Sequence, residues 1–181
     1  MLTEVGEIKI IDDFLSEEDF CGIKEIFMSD DFPWYTSIVV NPENAVDELN
    51  NIQLVHEFYK YMKPISRVFD TFGCVFEKID PVALLRVKAN LVLRTENIVE
   101  HGMHTDVIEY APGMRTGILY MNTCDGYTRF DDEDNTQVQS VANRFVHFPA
   151  YIKHTGTTTT DSRVRVVVNF NYIHTDEWQK L

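Results

Sequence analysis

LRVKANLVLR, residues Leu85 to Arg94, sets an apolar and a polar side chain at alternating positions along most of its length. Successive side chains of an extended chain project to opposite faces, so Val87, Ala89, Leu91 and Leu93 share one side, and Arg86, Lys88, Asn90 and Arg94 share the other. RVRVVVNFNY, Arg163 to Tyr172, repeats the pattern: Val164, Val166, Val168 and Phe170 oppose Arg163, Arg165, Val167, Asn169 and Asn171. TGILYMN, residues 116–122, separates Gly117, Leu119 and Met121 from Thr116, Ile118, Tyr120 and Asn122. Strands of this kind form a sheet with one face covered by apolar partners and the other turned to water or to a hydrated cavity.

Outward from these strands the chain changes character near Ala83. Beyond it the apolar period is mostly two, broken by turn chemistry at APG, CDG, DDEDN and TGTTTTD. Before it, EIKIIDDFL alternates and then stops at Ser16, where SEED carries an N-cap and an acid three residues on. A helix is expected there, with Phe20, Ile23 and Phe27 as its apolar stripe. DDFPWYTSIVV reads as a turn into a strand. NPENAVDELN reads as a loop leading to a second helix with Ile52, Val55, Tyr59 and Met62 on one face, broken at Pro64, before ISRVFDTFG closes the helical part at Gly73. Residues 1–181 are thus expected to form one domain, with a helical support region over 1–82 and a β core over 83–174.

The composition agrees with one core: 181 residues, of which 44% are hydrophobic and 12% aromatic. A formal net charge of -13 opposes phosphate backbones, so no nucleic-acid partner is expected. Cys21, Cys74 and Cys124 are odd in number and far apart, which reads as reduced and structural. No apolar run reaches the length of a membrane span, and the acids of MLTEVGEIKI do not suit a signal peptide, so no membrane association and a cytoplasmic location are expected.

HGMHTD, His101 to Asp106, is the densest cluster of candidate ligands. In an extended segment His104 and Asp106 fall on one side and His101 on the other, so His104 and Asp106 are the near pair and His101 a neighbour. His147, His154 and His174 could supply a third ligand. His154 is preferred because it stands where an apolar strand opens onto a small-residue loop, while His147 has the opposite parity. Two imidazoles and one carboxylate form the facial triad of non-haem Fe(II) oxygenases. Closed structural zinc sites usually supply four ligands with thiolates among them, and the chain has no CxxC pair.

At these residues the chain resembles the 2-oxoglutarate and Fe(II)-dependent dioxygenases, in particular the prolyl 4-hydroxylase-like branch and its small phage-encoded or bacterial relatives. In that family an H-x-D pair, a distal His about fifty residues later and a basic residue about ten beyond it recur in order; here they read His104 and Asp106, His154, and Arg165. The resemblance spans roughly Ala83 to Tyr172. It implies a double-stranded β-helix, or jelly-roll barrel, mainly β with N-terminal helices packed on the major sheet. It also implies His104, Asp106 and His154 as Fe(II) ligands and 2-oxoglutarate as co-substrate, with its distal carboxylate held by Arg165, or by Arg163 on the same strand face, and by Tyr120 of LYMN. Asn90 is expected to complete the pocket.

GYTRF is similar to the family's GG-x-T-x-F turn, with Tyr127 in place of the second glycine. Halogenating relatives lose the carboxylate; Asp106 retains it, which implies hydroxylation with dioxygen, release of succinate and carbon dioxide, and ascorbate as a stimulating reductant. The implied substrate is a protein or peptide side chain, or a small amino-acid-like molecule. The acidic surface suggests a neutral or basic one, and the loops TSIVVNPENAV and DVIEYAPGM are expected to recognise it. The rivals are a catalytically silent jelly-roll binding module and a cupin-type metal enzyme, which should carry a second His where Asp106 stands. The sequence does not define an oligomeric state.

Overall fold

The structure is a computed structural model, and it describes residues 2–5, 7–40, 43, 45, 46, 48, 49, 51–106 and 113–174. The strands are β1 (Leu2–Val5), β2 (Ile8–Ile11), β3 (Tyr35–Ser37), β4 (Gln53–Lys60), β5 (Lys63–Pro64), β6 (Ala83–Leu93), β7 (Met114–Tyr120), β8 (Tyr127–Phe130), β9 (Gln137–Gln139), β10 (Phe145–Pro149), β11 (His154–Gly156) and β12 (Val164–Ile173). The helices are α1 (Glu17–Phe27) and α2 (Gly73–Ile79), the latter entered through a 3-10 turn at Phe69–Phe72. No described helix is long and apolar enough to cross a membrane.

Two antiparallel sheets result. The larger runs β1-β2-β10-β7-β12-β6-β4-β3, with β5 paired to β4, and the smaller runs β11-β8-β9. The two strands read first from the sequence lie side by side in the middle of the larger sheet, with Val166 opposite Leu91, Val168 opposite Ala89 and Phe170 opposite Val87. Their shared apolar face is covered by α1 and α2: Phe20, Ile23, Phe27, Phe72, Val75 and Ile79 pack with Val87, Ala89, Val168 and Phe170 in one buried cluster. A second, smaller core of Ile118, Tyr120, Phe130, Val138, Phe148 and Val167 joins residues of both sheets. This is the expected mainly β jelly-roll arrangement, with helices on the major sheet.

α1 begins where its sequence signal lies. Ser16 Oγ accepts a hydrogen bond from the Asp19 amide at 3.1 Å, and Glu17, Glu18 and Asp19 place negative charge in the first turn. Asn143 anchors this helix start to the sheet: its side chain accepts from the Leu15 amide and donates to the Leu15 carbonyl, both at 2.9 Å.

The expected second helix is absent. Gln53–Lys60 is strand β4, so the support region of 1–82 is partly sheet. Gln53, His56 and Phe58 are its buried residues, whereas Ile52 and Met62 of the proposed helical stripe are exposed. The spacing of Ile52, Val55, Tyr59 and Met62 fits a helix by coincidence; pairing along β6 satisfies the backbone of this β-branched and aromatic segment instead. The turn that follows is hard to see in sequence, because Tyr61 and Met62 both take positive φ, 54° and 60°, without the Asn or Gly that usually marks such a hairpin. Gly73 opens α2 rather than closing a helix.

Candidate metal centre

His104 and His154 meet through the backbone. Each donates its amide to the other's carbonyl, at 3.0 and 2.9 Å, so the HGMHTD segment lies antiparallel beside β11 at the edge of the smaller sheet. Facing residues of such a pair project to one side. Their ring centroids are 5.0 Å apart, and Asp106, two residues on, reaches the same point. One ligand atom from each of His104, Asp106 and His154 lies within 4.8 Å of the other two.

The imidazoles are oriented from behind. Nδ1 of His104 lies 3.0 Å from the Gly102 carbonyl, and Nδ1 of His154 lies 3.4 Å from the Ile152 carbonyl. A carbonyl only accepts, so Nδ1 carries a proton in each ring and Nε2 is the nitrogen left to serve as a metal ligand. Burial drives the His154 pKa down to about 4 against the opposing pull of Asp106, which leaves the ring neutral at pH 7.

Asp106 is fixed by the larger sheet. Arg86 Nη2 donates to Oδ1 at 2.9 Å, and Asn169 and Asn171 donate to Oδ2 at 3.1 and 3.3 Å. Its side chain is only 6% exposed. Burial alone would raise this carboxyl, but the positive charge of Arg86 above all overrides it and holds the group far below the ordinary carboxylate value. The cluster therefore offers two imidazole nitrogens and one ionised carboxylate, a donor set suited to a divalent first-row metal.

The three side chains open on a cavity with about 510 Å³ of space free of protein atoms, its mouth included. Arg165 lies in its wall, 3% exposed, with Nη2 donating to Thr128 Oγ1 at 3.0 Å and its guanidinium 5.6 Å from the centre of the Tyr120 ring. Its Nε is buried without a partner, and no carboxylate of the described residues pairs with it. A buried cation without a counter-ion is costly unless a ligand supplies one. The wall is also closely fitted around it: a Cβ at Gly126 would lie 2.6 Å from Arg165 Cδ and from the Thr158 carbonyl, so the close approach here calls for glycine whatever follows it.

The other candidates divide. Asn90 lines the cavity. Arg163, just ahead of β12, is exposed and does not line it. Tyr120 is fully buried behind Arg165 and donates its hydroxyl to Thr128 Oγ1 at 2.8 Å. His101 lines the cavity as a neighbour of the triad, and His147 stands elsewhere, 2.8 Å from the Tyr172 hydroxyl. Sequence reasoning placed Arg86, Lys88, Asn169 and Asn171 on the polar face without assigning them a task; that shared parity was the available signal. Thr128 was visible only as the threonine of GYTRF. Part of the expected recognition loops, at 41, 42, 44 and 107–112, lies outside the described residues.

No known family matches the chain by sequence, and no curated protein resembles it closely enough to count as a relative. Solved structures do resemble it in shape. An oxidoreductase of the 2OG-Fe(II) oxygenase family from Burkholderia pseudomallei superposes with a TM-score of 0.68 over 92% of this chain and 85% of its own, at 8% identity. A prolyl hydroxylase from Trichoplax adhaerens, in complex with a hypoxia inducible factor oxygen degradation domain peptide, gives 0.66 over 97% and 87%, at 11% identity. A prolyl-4-hydroxylase from Pseudomonas putida gives 0.62 over 93% and 92%, at 13% identity. The chain has the fold of the 2OG-Fe(II) oxygenases, and its His104, Asp106 and His154 cluster lines the cavity described above.

Proposed function

We propose that the protein is a non-haem Fe(II) and 2-oxoglutarate-dependent dioxygenase, a single domain that hydroxylates a protein side chain or a small amino-acid-like molecule. The observation that carries this reading is the pairing of two unsatisfied needs in one cavity: an uncapped His-Asp-His donor set and, in the wall of the same cavity, the buried Arg165 without an anion among the described residues. A dicarboxylic keto acid bridging metal and guanidinium answers both. His104, Asp106 and His154 would hold Fe(II), which when bound supplies activation of dioxygen coupled to decarboxylation of 2-oxoglutarate to succinate and carbon dioxide.

The chain's own residues perform the positioning. Arg165 receives the distal carboxylate with the planar geometry of its guanidinium, and Thr128, bonded to it and to Tyr120, fixes that guanidinium in place. Tyr120 thus supports Arg165 from behind, while Arg163 at the surface takes no part. Asp106 retains its carboxylate, which favours hydroxylation over halide transfer. The peptide-bound relative from Trichoplax adhaerens supports a peptide substrate, and the cavity's polar wall supports a small molecule.

Succinate formation from 2-oxoglutarate in the presence of Fe(II), ascorbate and oxygen tests the reading. Turnover should require the metal and vanish in His104→Ala, Asp106→Ala and Arg165→Ala. A protein that neither binds 2-oxoglutarate with Mn(II) nor forms succinate is the silent binding module instead.

A further inference from the structure

A second cation in the cavity remains without a task. Lys88 lies between Arg86 and Asn90 on the same face of β6, with Asn169 opposite it on β12 and Glu57 opposite it on β4. Lys88, Asn90 and Asn169 all line the cavity next to His104 and Asp106.

The nearby carboxylates are already engaged. Glu57 is held by Lys60 at 2.8 Å and Asp106 by Arg86 at 2.9 Å. Lys88 itself forms no hydrogen bond and no ion pair among the described residues. Burial, then Arg86, pull its pKa down to about 8, against Asp106 and Glu57, as expected for an ammonium lacking a close anion.

The two asparagines present the complementary deficit. Each is 7% exposed, and in each the side-chain oxygen is buried without a hydrogen-bond partner. Asn169 cannot be relieved by turning its amide over, because its Nδ2 already donates to the Asp106 carboxylate. The wall beside the triad therefore holds an ammonium seeking an acceptor, and two carbonyl oxygens seeking donors.

Resting on the oxygenase reading, we propose that Lys88, Asn90 and Asn169 form the primary-substrate station, which takes the α-carboxylate and α-ammonium of a free amino acid. Lys88 pairs with the carboxylate, and the Asn90 and Asn169 oxygens accept from the ammonium. Arg165 and the metal answer the two charges of 2-oxoglutarate, which leaves the Lys88 charge for the substrate. A zwitterion has no net charge, so the formal -13 of the chain does not repel it from a distance.

The test is calorimetric, on protein loaded anaerobically with Mn(II) and 2-oxoglutarate. The twenty free L-amino acids are titrated singly, each compared with its methyl ester, which lacks the carboxylate charge, and its N-acetyl derivative, which lacks the ammonium. At least one free amino acid should bind, with both derivatives weaker by about tenfold or more, the scale of a lost charged hydrogen bond. Lys88→Met, of similar length and checked for an unchanged melting curve, should erase the preference for acid over ester while leaving 2-oxoglutarate affinity within about twofold. Asn90→Leu should erase the preference for free amine over acetyl amide.

Equal binding of acid and ester, or binding of no free amino acid, overturns the proposal, as does an equal loss of 2-oxoglutarate affinity in Lys88→Met, which would assign Lys88 to the co-substrate. If wild-type protein fails to bind 2-oxoglutarate at all, the oxygenase reading itself falls.

Discussion

Asp106 and Arg165 are both buried charges, and the fold treats them oppositely. Asp106 is enclosed by three donors from the larger sheet, whereas Arg165 has hydroxyl and carbonyl neighbours but no anion among the described residues. In the proposed function the first arrangement readies a metal ligand and the second receives the carboxylate of the co-substrate. Arg86 holds the Asp106 carboxylate, and groups that orient a metal ligand in this way typically contribute about 10- to 100-fold in metal affinity. Arg86→Ala should therefore weaken Mn(II) binding by about that factor in a calorimetric titration, and Arg86→Lys should recover part of it. His154 gives a pH prediction. Its folded pKa of about 4 lies below the unfolded value of about 6.5. Above pH 6.5 both states are neutral; as pH falls toward 4 only the unfolded chain takes the proton, so metal-free stability should drop by on the order of 3 kcal/mol across that window. Urea midpoints at pH 7, 5.5 and 4.5 measure the drop, and His154→Gln should flatten it.

At the level of elements, three are fixed by short-range chemistry and two by their neighbours. The SEED cap and the Phe20, Ile23 and Phe27 stripe are sufficient to place α1, and predominant alternation is sufficient to make β6 and β12 strands. β4 is a strand because the β6 edge is available to pair with it, which no window of the sequence contains. The segment carrying HGMHTD is extended because β11 pairs with it. The junction of α1 with the sheet depends on Asn143, whose side chain mimics a strand partner for Leu15. Asn143→Ala would leave a buried amide and carbonyl of Leu15 unpaired, so it should lower unfolding stability by about 2–3 kcal/mol. Urea denaturation followed by far-UV circular dichroism measures this; a loss below 0.5 kcal/mol, the scale of a neutral surface change, would show that the clamp is dispensable.

For the molecule as a whole, the helices and the apolar face of the larger sheet make one core, and the two sheets close a second around the cavity wall. The site is thus built from both sheets, with Asp106 tied to one and His154 belonging to the other. A ligand that spans them binds only the folded state and stabilises it by mass action, by about 2.7 kcal/mol at a hundredfold excess over its dissociation constant. Mn(II) with 2-oxoglutarate should raise the melting temperature of the wild type, each component adding to the other, while Asp106→Ala loses the metal increment and Arg165→Ala the 2-oxoglutarate increment. A melting temperature indifferent to both would separate this cavity from the proposed chemistry.

Periodicity and parity alone determined which strands have an apolar and a polar side, where α1 starts, and that His104 and Asp106 project together, since all three depend on residues within a few positions of each other. Which distant groups stand against that pair was decided only by strand pairing. The facing of His104 by His154, the reach of Arg86 to Asp106, the burial of Arg165 beside an exposed Arg163, and the conversion of an apparent helix into β4 all follow from register between segments far apart in the chain. A one-residue slip in that register would turn each of these side chains to the opposite face.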